Sequence, residues 1–299
     1  MDRNFIYFIN PISGTKNKDA LLQLIEEKTR KQNIAYQVLH TNAGGDYFFL
    51  QEKIRSEKIT DVIICGGDGT INQVTAALIN IDINIGIIPM GSGNGLALAA
   101  GISRKVNKAL DIIFNGKASY IDGFYINSAF SCMLCGLGFD AQVAYDFAKH
   151  PSRGLSTYIK LSIKNFLGAK AYPFVIEANN TSIQTNAFFI SIANSNQFGN
   201  NFTIAPKASL NDGLLDIVIV NKMNKIKLIY TLLKQIRLGQ VQQTSGKNFN
   251  EAGIQYFQTK ALIIQNPLAA PLHIDGDPTV TATLFKINII ENAFRLLQP

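Results

Sequence analysis

Charged residues are scarce in this sequence. They make up 16% of its 299 residues, while apolar residues make up 47%; a typical globular chain has about 25% charged residues. This balance excludes a disordered chain and a coiled coil. The 23 glycines follow no fixed period, which excludes a collagen-like chain and a short repeat. The sequence therefore predicts one large globular domain or two ordinary ones.

Cysteines and long hydrophobic runs are also few. The three cysteines cannot form a disulfide framework, and all lie in apolar runs, which fits a reducing compartment. Cys132 and Cys135 form a C-x-x-C pair, but no second pair follows, so we interpret both as buried strand residues rather than zinc ligands. No segment approaches the roughly 18 uninterrupted apolar residues of a membrane-spanning helix, and the first residues lack the form of a signal peptide. These absences predict a cytoplasmic protein.

Basic residues outnumber acidic ones, with a net charge of +7 and an isoelectric point near 9.2. This excess suits phosphate groups, a nucleic acid or an anionic membrane surface. Nucleic acid is disfavoured because no basic, aromatic-rich strand motif is present. Residues 147–176 and 217–250 carry basic but no acidic residues, and they include predicted amphipathic helices at 154–167 and 225–238. Such helices either lie on an anionic bilayer or pack on the core with a solvated basic face.

The pattern of predicted elements changes near residue 121. Before it, buried strand-like runs alternate with amphipathic helices, which predicts a parallel sheet covered on both faces. After it, strand-like runs dominate. We therefore predict an α/β domain over residues 1–121 and a β-rich domain over residues 122–286. The predicted strands of the second part include 129–134, 187–193, 215–220, 261–265 and 284–290, with a hairpin turn at 179–180.

A glycine-rich loop, Gly66-Gly67-Asp68-Gly69-Thr70-Ile71-Asn72, joins a predicted strand to a predicted helix. Glycines let a ligand approach the bare backbone, and the amino end of a helix presents unpaired N–H groups that favour phosphate. Phosphates repel a carboxylate unless it binds a metal or takes a proton, so Asp68 indicates more than an anion site. The alternative is a tight turn in which Asp68 caps the helix.

Two further loops follow predicted strands. One is Pro89-Met90-Gly91-Ser92-Gly93-Asn94-Gly95, in which Ser92 and Asn94 can donate hydrogen bonds to phosphate oxygens; the other is Asn10-Pro11-Ile12-Ser13-Gly14. Because the carboxyl ends of parallel strands share one edge of a sheet, we expect the three loops to converge on one phosphate-bearing ligand. A standard P-loop sequence is absent, and the dinucleotide-like run at 136–141 lacks a ribose-binding carboxylate downstream.

Candidate carboxylates follow in the β-rich half. Asp275-Gly276-Asp277 comes after a short apolar strand, and its two acidic groups suit a general base or a metal site. A plain Asp-Gly turn is the alternative. Asn211-Asp212-Gly213 is equally turn-like, and Asp122 is an isolated carboxylate at the predicted domain junction.

Taken in order, these motifs resemble those of the diacylglycerol kinase catalytic family, which includes bacterial lipid kinases and the sphingosine and ceramide kinases. The matching pieces are N-P-x-S-G at 10–14, G-G-D-G-T at 66–70, P-x-G-S-G-N at 89–94, G-x-G-F-D at 136–140, N-D-G-L-L-D at 211–216 and D-G-D at 275–277. The G-G-D-G-T piece alone is shared with NAD kinases, but the ordered set is more specific. The resemblance implies an α/β N-terminal domain with a parallel sheet and a C-terminal β-sandwich domain with helices, and it implies that residues 287–299 return to the first domain.

The resemblance also implies ATP and Mg²⁺ as cofactors. The residues it implies for the nucleotide are Asn10, Ser13, Gly14, Thr41, Gly66, Gly67, Asp68, Gly69, Thr70, Ile71, Asn72, Gly91, Ser92, Gly93 and Asn94. Those implied for catalysis are Asp68, Asp275 and Asp277, with either of the last two as the proton acceptor. Those implied for a structural magnesium site are Ser209, Asp212 and Leu214, and Asp68, Asp122 and Asp212 would join a carboxylate–water–metal network.

The implied function is transfer of the γ-phosphoryl group of ATP to a hydroxyl of a diacylglycerol- or sphingosine-like lipid. Such an enzyme would be cytoplasmic and would meet its lipid at the inner membrane face as a peripheral protein. Three residues depart from the family pattern: Gly95 and Gln73 stand where acidic residues are frequent, and Asp277 replaces Glu. Two alternatives stay open, an NAD kinase-like activity on a soluble acceptor and an inactive nucleotide- or lipid-binding regulator. The sequence does not choose between a monomer and a homodimer.

Overall fold

The computed structural model describes residues 3–14, 18–42, 44–152, 155–197, 205, 207–223 and 253–299. The chain divides into two compact units: the first unit is Met1–Asp122 with Glu291–Pro299, and the second unit is Gly123–Ile290. The sequence analysis placed the boundary after residue 121 and the return of the chain at residue 287. The basic helix predicted at 225–238 lies outside the described residues.

The elements follow one another in this order along the chain. The first part contains β1 (Asn4–Ile9), α1 (Lys18–Lys31), β2 (Ala35–His40), α2 (Phe49–Ser56), β3 (Asp61–Gly66), α3 (Asp68–Ala77), β4 (Asn84–Pro89), α4 (Gly95–Ala99), α5 (Val106–Asn115) and β5 (Lys117–Ile126). The second part contains β6 (Ala129–Ser131), β7 (Leu134–Gly138), α6 (Phe139–Lys149), α7 (Leu155–Gly168), β8 (Tyr172–Ala178), β9 (Thr181–Ala193), β10 (Leu215–Asn221), β11 (Ile254–Thr259), β12 (Ala261–Gln265), β13 (Leu272–Ile274), β14 (Asp277–Thr279) and β15 (Leu284–Gln298).

A parallel sheet forms the centre of the first unit, in the order β2-β1-β3-β4-β15. The last of these strands contributes only its end, where Arg295 and Leu296 pair with Asn84 and Ile85. Every residue of β3 is buried, as expected for a strand covered by helices on both faces. The α/β class predicted from the alternation of strands and helices is confirmed.

An ion pair between Arg3 and a buried carboxylate joins the amino ends of these strands. Asp61 is fully buried at the start of β3 and accepts hydrogen bonds from Arg3 at 2.7 and 3.2 Å and from Asn84 at 3.1 Å. Arg3 also donates to the Phe114 carbonyl at 3.0 Å. These bonds compensate the buried charge. The amino edge of the sheet is therefore a structural edge, and the glycine loops lie at the opposite, carboxyl edge.

Antiparallel strands form the second unit, with β9 at their centre. Residues 181–187 of β9 pair with β8, residues 187–193 pair with β10, and residues 189–193 pair with β7. The sheet continues from β8 to β12 and β15 on one side, and from β7 to β13 and β14 on the other. Apolar side chains of these strands share one core. The predicted β-rich domain is confirmed.

The Asn179-Asn180 hairpin turn is also as predicted. Both residues have positive φ angles, 49° and 59°, between the paired strands β8 and β9. Two such angles in a two-residue loop are typical of a type I′ turn, whose twist matches that of the strands.

Two predicted strands have different extents in the structure. The strand predicted at 129–134 is divided into β6 and β7, and the one predicted at 284–290 continues to Gln298. The division occurs at Cys132 and Met133, whose N–H groups donate to the Asp275 carboxylate. At these two residues the backbone donors bind a distant side chain and not the backbone of a neighbouring strand.

The helix α7 coincides with the first predicted basic helix. Phe166 packs edge-on against Phe139 of α6 at 5.9 Å, and Asn165 donates to Asp146 of α6 at 2.8 Å. The side chains of Lys160 and Lys164 are exposed. Of the two interpretations of this helix, the contacts favour packing on the protein with a solvated basic face. Within the described residues, no helix is long and apolar enough to cross a membrane.

Candidate active site

The carboxyl ends of four parallel strands lie side by side in the first unit. Beyond the strands themselves, the Asn10 N–H donates to the Cys65 carbonyl at 2.9 Å, the Thr41 N–H donates to the Ile9 carbonyl at 2.9 Å, and the Met90 N–H donates to the Gly66 carbonyl at 2.8 Å. The residues after β1, β2, β3 and β4 therefore start at the same level of the sheet.

Two contacts show how closely the three glycine loops approach one another. A Cβ atom on Gly14 would lie 2.3 Å from the Met90 carbonyl oxygen, and one on Gly91 would lie 2.7 Å from the Cα of Gly67. Gly14 also has a φ angle of 68°, which favours glycine. The side chain of Asn10 donates to the Thr70 hydroxyl at 2.8 Å. Glycine thus lets three backbones meet at one point, as the sequence analysis expected.

Asp68 is the first residue of α3 and lies against the loop at residues 89–95. A Cβ atom on Gly93 would be 2.9 Å from the Asp68 Oδ2, so the two groups are in contact. The N-cap of the helix is Gly67. Because Gly67 occupies the cap position and no side chain forms a cap hydrogen bond, the alternative in which Asp68 caps the helix does not describe this turn. The half-buried carboxylate instead lies at the amino end of the helix, against Gly93 of the neighbouring loop.

The remaining predicted nucleotide residues have different surroundings. Asn94 is buried with a φ angle of 54°; its Oδ1 accepts the Gly91 N–H at 2.8 Å and its Nδ2 donates to the Gly91 carbonyl at 2.7 Å. The Asn94 amide therefore shapes its own loop. Ser92 is exposed, and Thr41 and Ser13 are half-buried. The loop after Thr41 reaches α3, because a Cβ atom on Gly45 would lie 3.3 Å from the Gln73 side chain.

In the second unit, Asp275 and Asp277 have contrasting surroundings. Asp275 and Gly276, with φ angles of 49° and 87°, form the two-residue turn between β13 and β14. The Asp275 Oδ1 accepts hydrogen bonds from the Ser131 hydroxyl at 2.7 Å and from the Leu134 and Met133 N–H groups at 2.9 and 3.1 Å, and its Oδ2 accepts the Cys132 N–H at 3.1 Å. Asp277 is exposed at the start of β14. Asp275 therefore links the turn between β13 and β14 to residues 131–134, whereas Asp277 faces solvent.

A buried His–Asp pair supports the same turn. His273 is fully buried, its Nε2 lies 3.4 Å from Asp140 Oδ2, and its Nδ1 accepts the Gly276 N–H at 3.2 Å. A Cβ atom on Gly136 would lie 1.9 Å from Asp140 Oδ2 and 2.5 Å from His273 Nε2. The G-x-G-F-D motif thus makes room for this pair rather than for a dinucleotide. The sequence analysis missed His273, although its position two residues before Asp275 was a signal.

The C-x-x-C pair, Cys132 and Cys135, lies in the interior of the second unit. Both thiols are buried and unpaired with each other. Burial raises the pKa of the Cys135 thiol well above its usual value, and the nearby charges of Asp275 and Asp140 raise it further. A thiol held in its neutral form is a poor nucleophile and a poor zinc ligand. Both cysteines are buried as predicted, but only Cys135 lies in a strand, because Cys132 falls in the break between β6 and β7.

Family comparisons match nearly the whole chain. Residues 4–126 match the "Diacylglycerol kinase catalytic domain", and residues 134–297 match the "YegS C-terminal NAD kinase beta sandwich-like domain". The chain belongs to the diacylglycerol kinase family of lipid kinases. The second match also confirms the predicted β-sandwich class of the C-terminal domain.

Individual proteins agree with membership of the diacylglycerol kinase family. The chain is 28% identical to the "Probable lipid kinase YegS-like" of Shewanella frigidimarina over 84% of this chain and 80% of that protein. It is 26% identical to the "Diacylglycerol kinase" of Bacillus subtilis over 90% of this chain and 88% of that protein. A crystal structure of a diacylglycerol kinase from Bacillus anthracis superposes with a TM-score of 0.74 at 18% identity, covering 99% of this chain and 97% of that one, which shows that the fold is shared.

The residues that family resemblance assigns to magnesium lie on one turn before β10. Asp212 is exposed, and its Oδ1 accepts the Leu214 N–H at 3.1 Å. A carboxylate and the backbone carbonyls of Ser209 and Leu214 are oxygen ligands, which Mg²⁺ prefers, and waters complete its shell. The described residues contain no group of three or more His, Cys, Asp or Glu side chains that could hold a metal. The donors present thus fit a cation that keeps most of its water.

Two further carboxylates, Asp122 and Asp216, are buried. Asp122, in the first unit, accepts the Asn292 N–H at 2.8 Å. Asp216 is buried in β10 and accepts hydrogen bonds from the Tyr256 hydroxyl and from Gln258. Burial raises the pKa of Asp216 to about 6, the two hydrogen bonds oppose that rise, and the charge of Asp212 adds to it. Asp212 and Asp216 are therefore close enough for their charges to interact.

Proposed function

We propose that this protein is an ATP-dependent lipid kinase that transfers the γ-phosphoryl group to a hydroxyl of a diacylglycerol- or sphingosine-like lipid. The observation that carries the proposal is the meeting of three glycine loops at the carboxyl edge of the first unit's sheet, where Asp68 of one loop contacts Gly93 of another. Backbone N–H groups and a helix amino end bind phosphate, and family membership supports a kinase.

In this proposal, the first unit binds the nucleotide. The loops at 10–14, 66–72 and 90–94 bind the phosphates, and the segment at Thr41 lies near the ribose or base. Asp68 orients the nucleotide. Ser209, Asp212 and Leu214 would hold a structural Mg²⁺, and Mg²⁺ bound with ATP would supply the positive charge that offsets the charge developing on the phosphoryl group.

The second unit supplies the acid–base chemistry in this proposal. The lipid hydroxyl oxygen forms a bond to the γ-phosphorus while the bond from that phosphorus to the β–γ bridging oxygen breaks, and ADP leaves. The hydroxyl proton passes to a carboxylate. We assign that role to Asp277, because Asp275 already accepts three backbone N–H groups and a hydroxyl.

The test is an assay with labelled ATP, Mg²⁺ and a panel of lipids in vesicles, with products identified by mass. We expect one lipid class to be phosphorylated. Asp68→Ala should reduce turnover by at least about 100-fold without lowering the free energy of unfolding. Unchanged turnover in Asp68→Ala would refute the role of Asp68.

Two other results would replace the proposal. Phosphorylation of a water-soluble acceptor without vesicles would favour the NAD kinase-like alternative. Nucleotide binding without transfer to any lipid would favour the inactive regulator, for which the substitutions at Gln73, Gly95 and Asp277 are the support.

A further inference from the structure

Two neighbouring loops of the second unit expose apolar side chains beside the Asp277 strand. Val280 is 90% exposed, Leu268 is 65% exposed and Leu284 is 44% exposed. They belong to residues 266–270 and 280–284, which we call the apolar edge. Exposed apolar residues that cluster mark a surface that another molecule covers.

The two loops of the apolar edge are joined by hydrogen bonds. The buried side chain of Asn266 donates to the Ala282 carbonyl at 3.0 Å and to the Thr281 hydroxyl at 3.2 Å, and its backbone N–H donates to the Thr283 carbonyl at 2.8 Å. Thr281 donates in turn to the Ala270 carbonyl at 2.6 Å. These bonds satisfy backbone groups of both loops and keep them together while their apolar side chains point outward.

The apolar edge also lacks charge. Residues 261–272 and 278–285 contain no charged side chain, although the whole chain has a net charge of +7. Uncharged loops can enter the boundary between lipid headgroups and acyl chains, where a charged side chain is costly. The positive charge of the rest of the protein attracts it to an anionic lipid surface.

Asp277 lies close to the apolar edge along the chain. Val280 follows Asp277 by three residues and comes directly after β14, so the two residues are at most about 11 Å apart. The polar layer on each side of a bilayer is about 5–8 Å thick. With Val280 at the acyl boundary, Asp277 is therefore within reach of the headgroup layer, in which a lipid hydroxyl lies.

We propose that the apolar edge is the membrane-contact surface of this protein, inserting Leu268 and Val280 into a lipid bilayer. The inference rests on the proposed lipid kinase function and names the surface through which that site meets its substrate. A second copy of this chain is the competing occupant, but two copies that each carry a net charge of +7 repel each other, whereas an anionic lipid surface attracts that charge.

Tryptophan fluorescence tests the surface without any catalysis. The chain contains no tryptophan, so Val280→Trp introduces a single probe at an exposed position. With vesicles of phosphatidylcholine and phosphatidylglycerol, we expect its emission to shift to shorter wavelength. The matched control is Phe48→Trp, whose position in the first unit is 64% exposed; its emission should not shift.

Three results would overturn the proposal. One is an unshifted Val280→Trp spectrum while the protein sediments with the vesicles. Another is an equal shift in Phe48→Trp. The third is a Val280→Trp shift that appears on raising the protein concentration without lipid, which would assign the apolar edge to a second copy.

A kinetic experiment separates this surface from the kinase function. We expect the double variant Leu268→Asp, Val280→Asp to lose at least about tenfold in vesicle binding and in turnover of long-chain diacylglycerol in vesicles. Its turnover of short-chain, monomeric dioctanoylglycerol should be unchanged. Wild-type protein that phosphorylates neither these two lipids nor any lipid of the panel would refute the kinase proposal, whereas the emission of Val280→Trp would still decide the membrane contact. Equal vesicle binding by the double variant would refute the apolar edge alone.

Discussion

The two units place polar groups by different physical means. In the first unit, parallel strands end at one edge and glycines let three loops meet there, so the candidate site is built largely from backbone. In the second unit, the Asp275 side chain gathers the N–H groups of a chain segment 141–143 residues earlier. The first arrangement follows from local sequence and strand order, while the second depends on long-range contacts between side chain and backbone. We expect substitutions to affect the two units differently.

The largest expected effect is a loss of stability when Asp275 is substituted, which the substitution of Asp277 should not cause. Asp275→Asn replaces one acceptor oxygen by an NH₂ group, which is itself a donor and would face the backbone N–H groups that now donate to Asp275. We therefore expect a loss of about 4 kcal/mol in the free energy of unfolding. Asp277→Asn, at an exposed position, should change stability by less than about 0.5 kcal/mol while reducing turnover by about 100-fold or more. Urea unfolding and the lipid kinase assay measure the two quantities. A stable Asp275→Asn protein would remove the structural role of that carboxylate.

The next effect is a pH dependence within the second unit. The pKa of Asp216 is raised from 3.8 to about 6, so the folded protein binds more protons than the unfolded chain between these values. Stability from this group therefore falls as the pH rises from about 4 to 6, by up to about 3 kcal/mol. Urea unfolding in the presence of a chelator, compared with Asp216→Asn, measures the effect. We expect the difference in unfolding free energy between the two proteins to shift over this pH range; a constant difference would contradict the prediction.

A smaller effect is expected at Gly14 in the first unit. Gly14→Ala introduces a Cβ at a φ angle of 68° and 2.3 Å from the Met90 carbonyl oxygen, which should cost about 2 kcal/mol of unfolding free energy. It should also weaken binding of a non-hydrolysable ATP analogue by about tenfold, because about 1.4 kcal/mol lost from loop geometry corresponds to that factor. Calorimetry measures the affinity.

The control for this substitution is Gly168→Ala in the second unit. A Cβ at Gly168 would meet no atom within 4 Å, so both stability and nucleotide affinity should stay close to the wild-type values. Equal behaviour of the two variants would mean that the approach of the loops does not depend on glycine.

The same contrast explains how much the sequence could predict. The alternation of strands and helices led to the parallel sheet, and the glycines after successive strands led to the three loops, because both signals are local. The division between β6 and β7 and the pairing of His273 with Asp140 were missed. Each depends on residues more than 130 positions apart, and no local pattern reports which distant segment a carboxylate will bind. The roles assigned to the predicted site residues stay predictions until the variants are measured.

The end of β15 has a consequence for how the protein is made. Arg295 and Leu296 pair with β4, the strand that leads into the Met90–Asn94 loop, yet they leave the ribosome only after all of Gly123–Ile290 has been synthesised. The first unit is thus the first to be translated but the last to be completed, so an aborted nascent chain lacks one border of the parallel sheet. Partial products of synthesis would therefore never contain the finished sheet from which the three glycine loops extend.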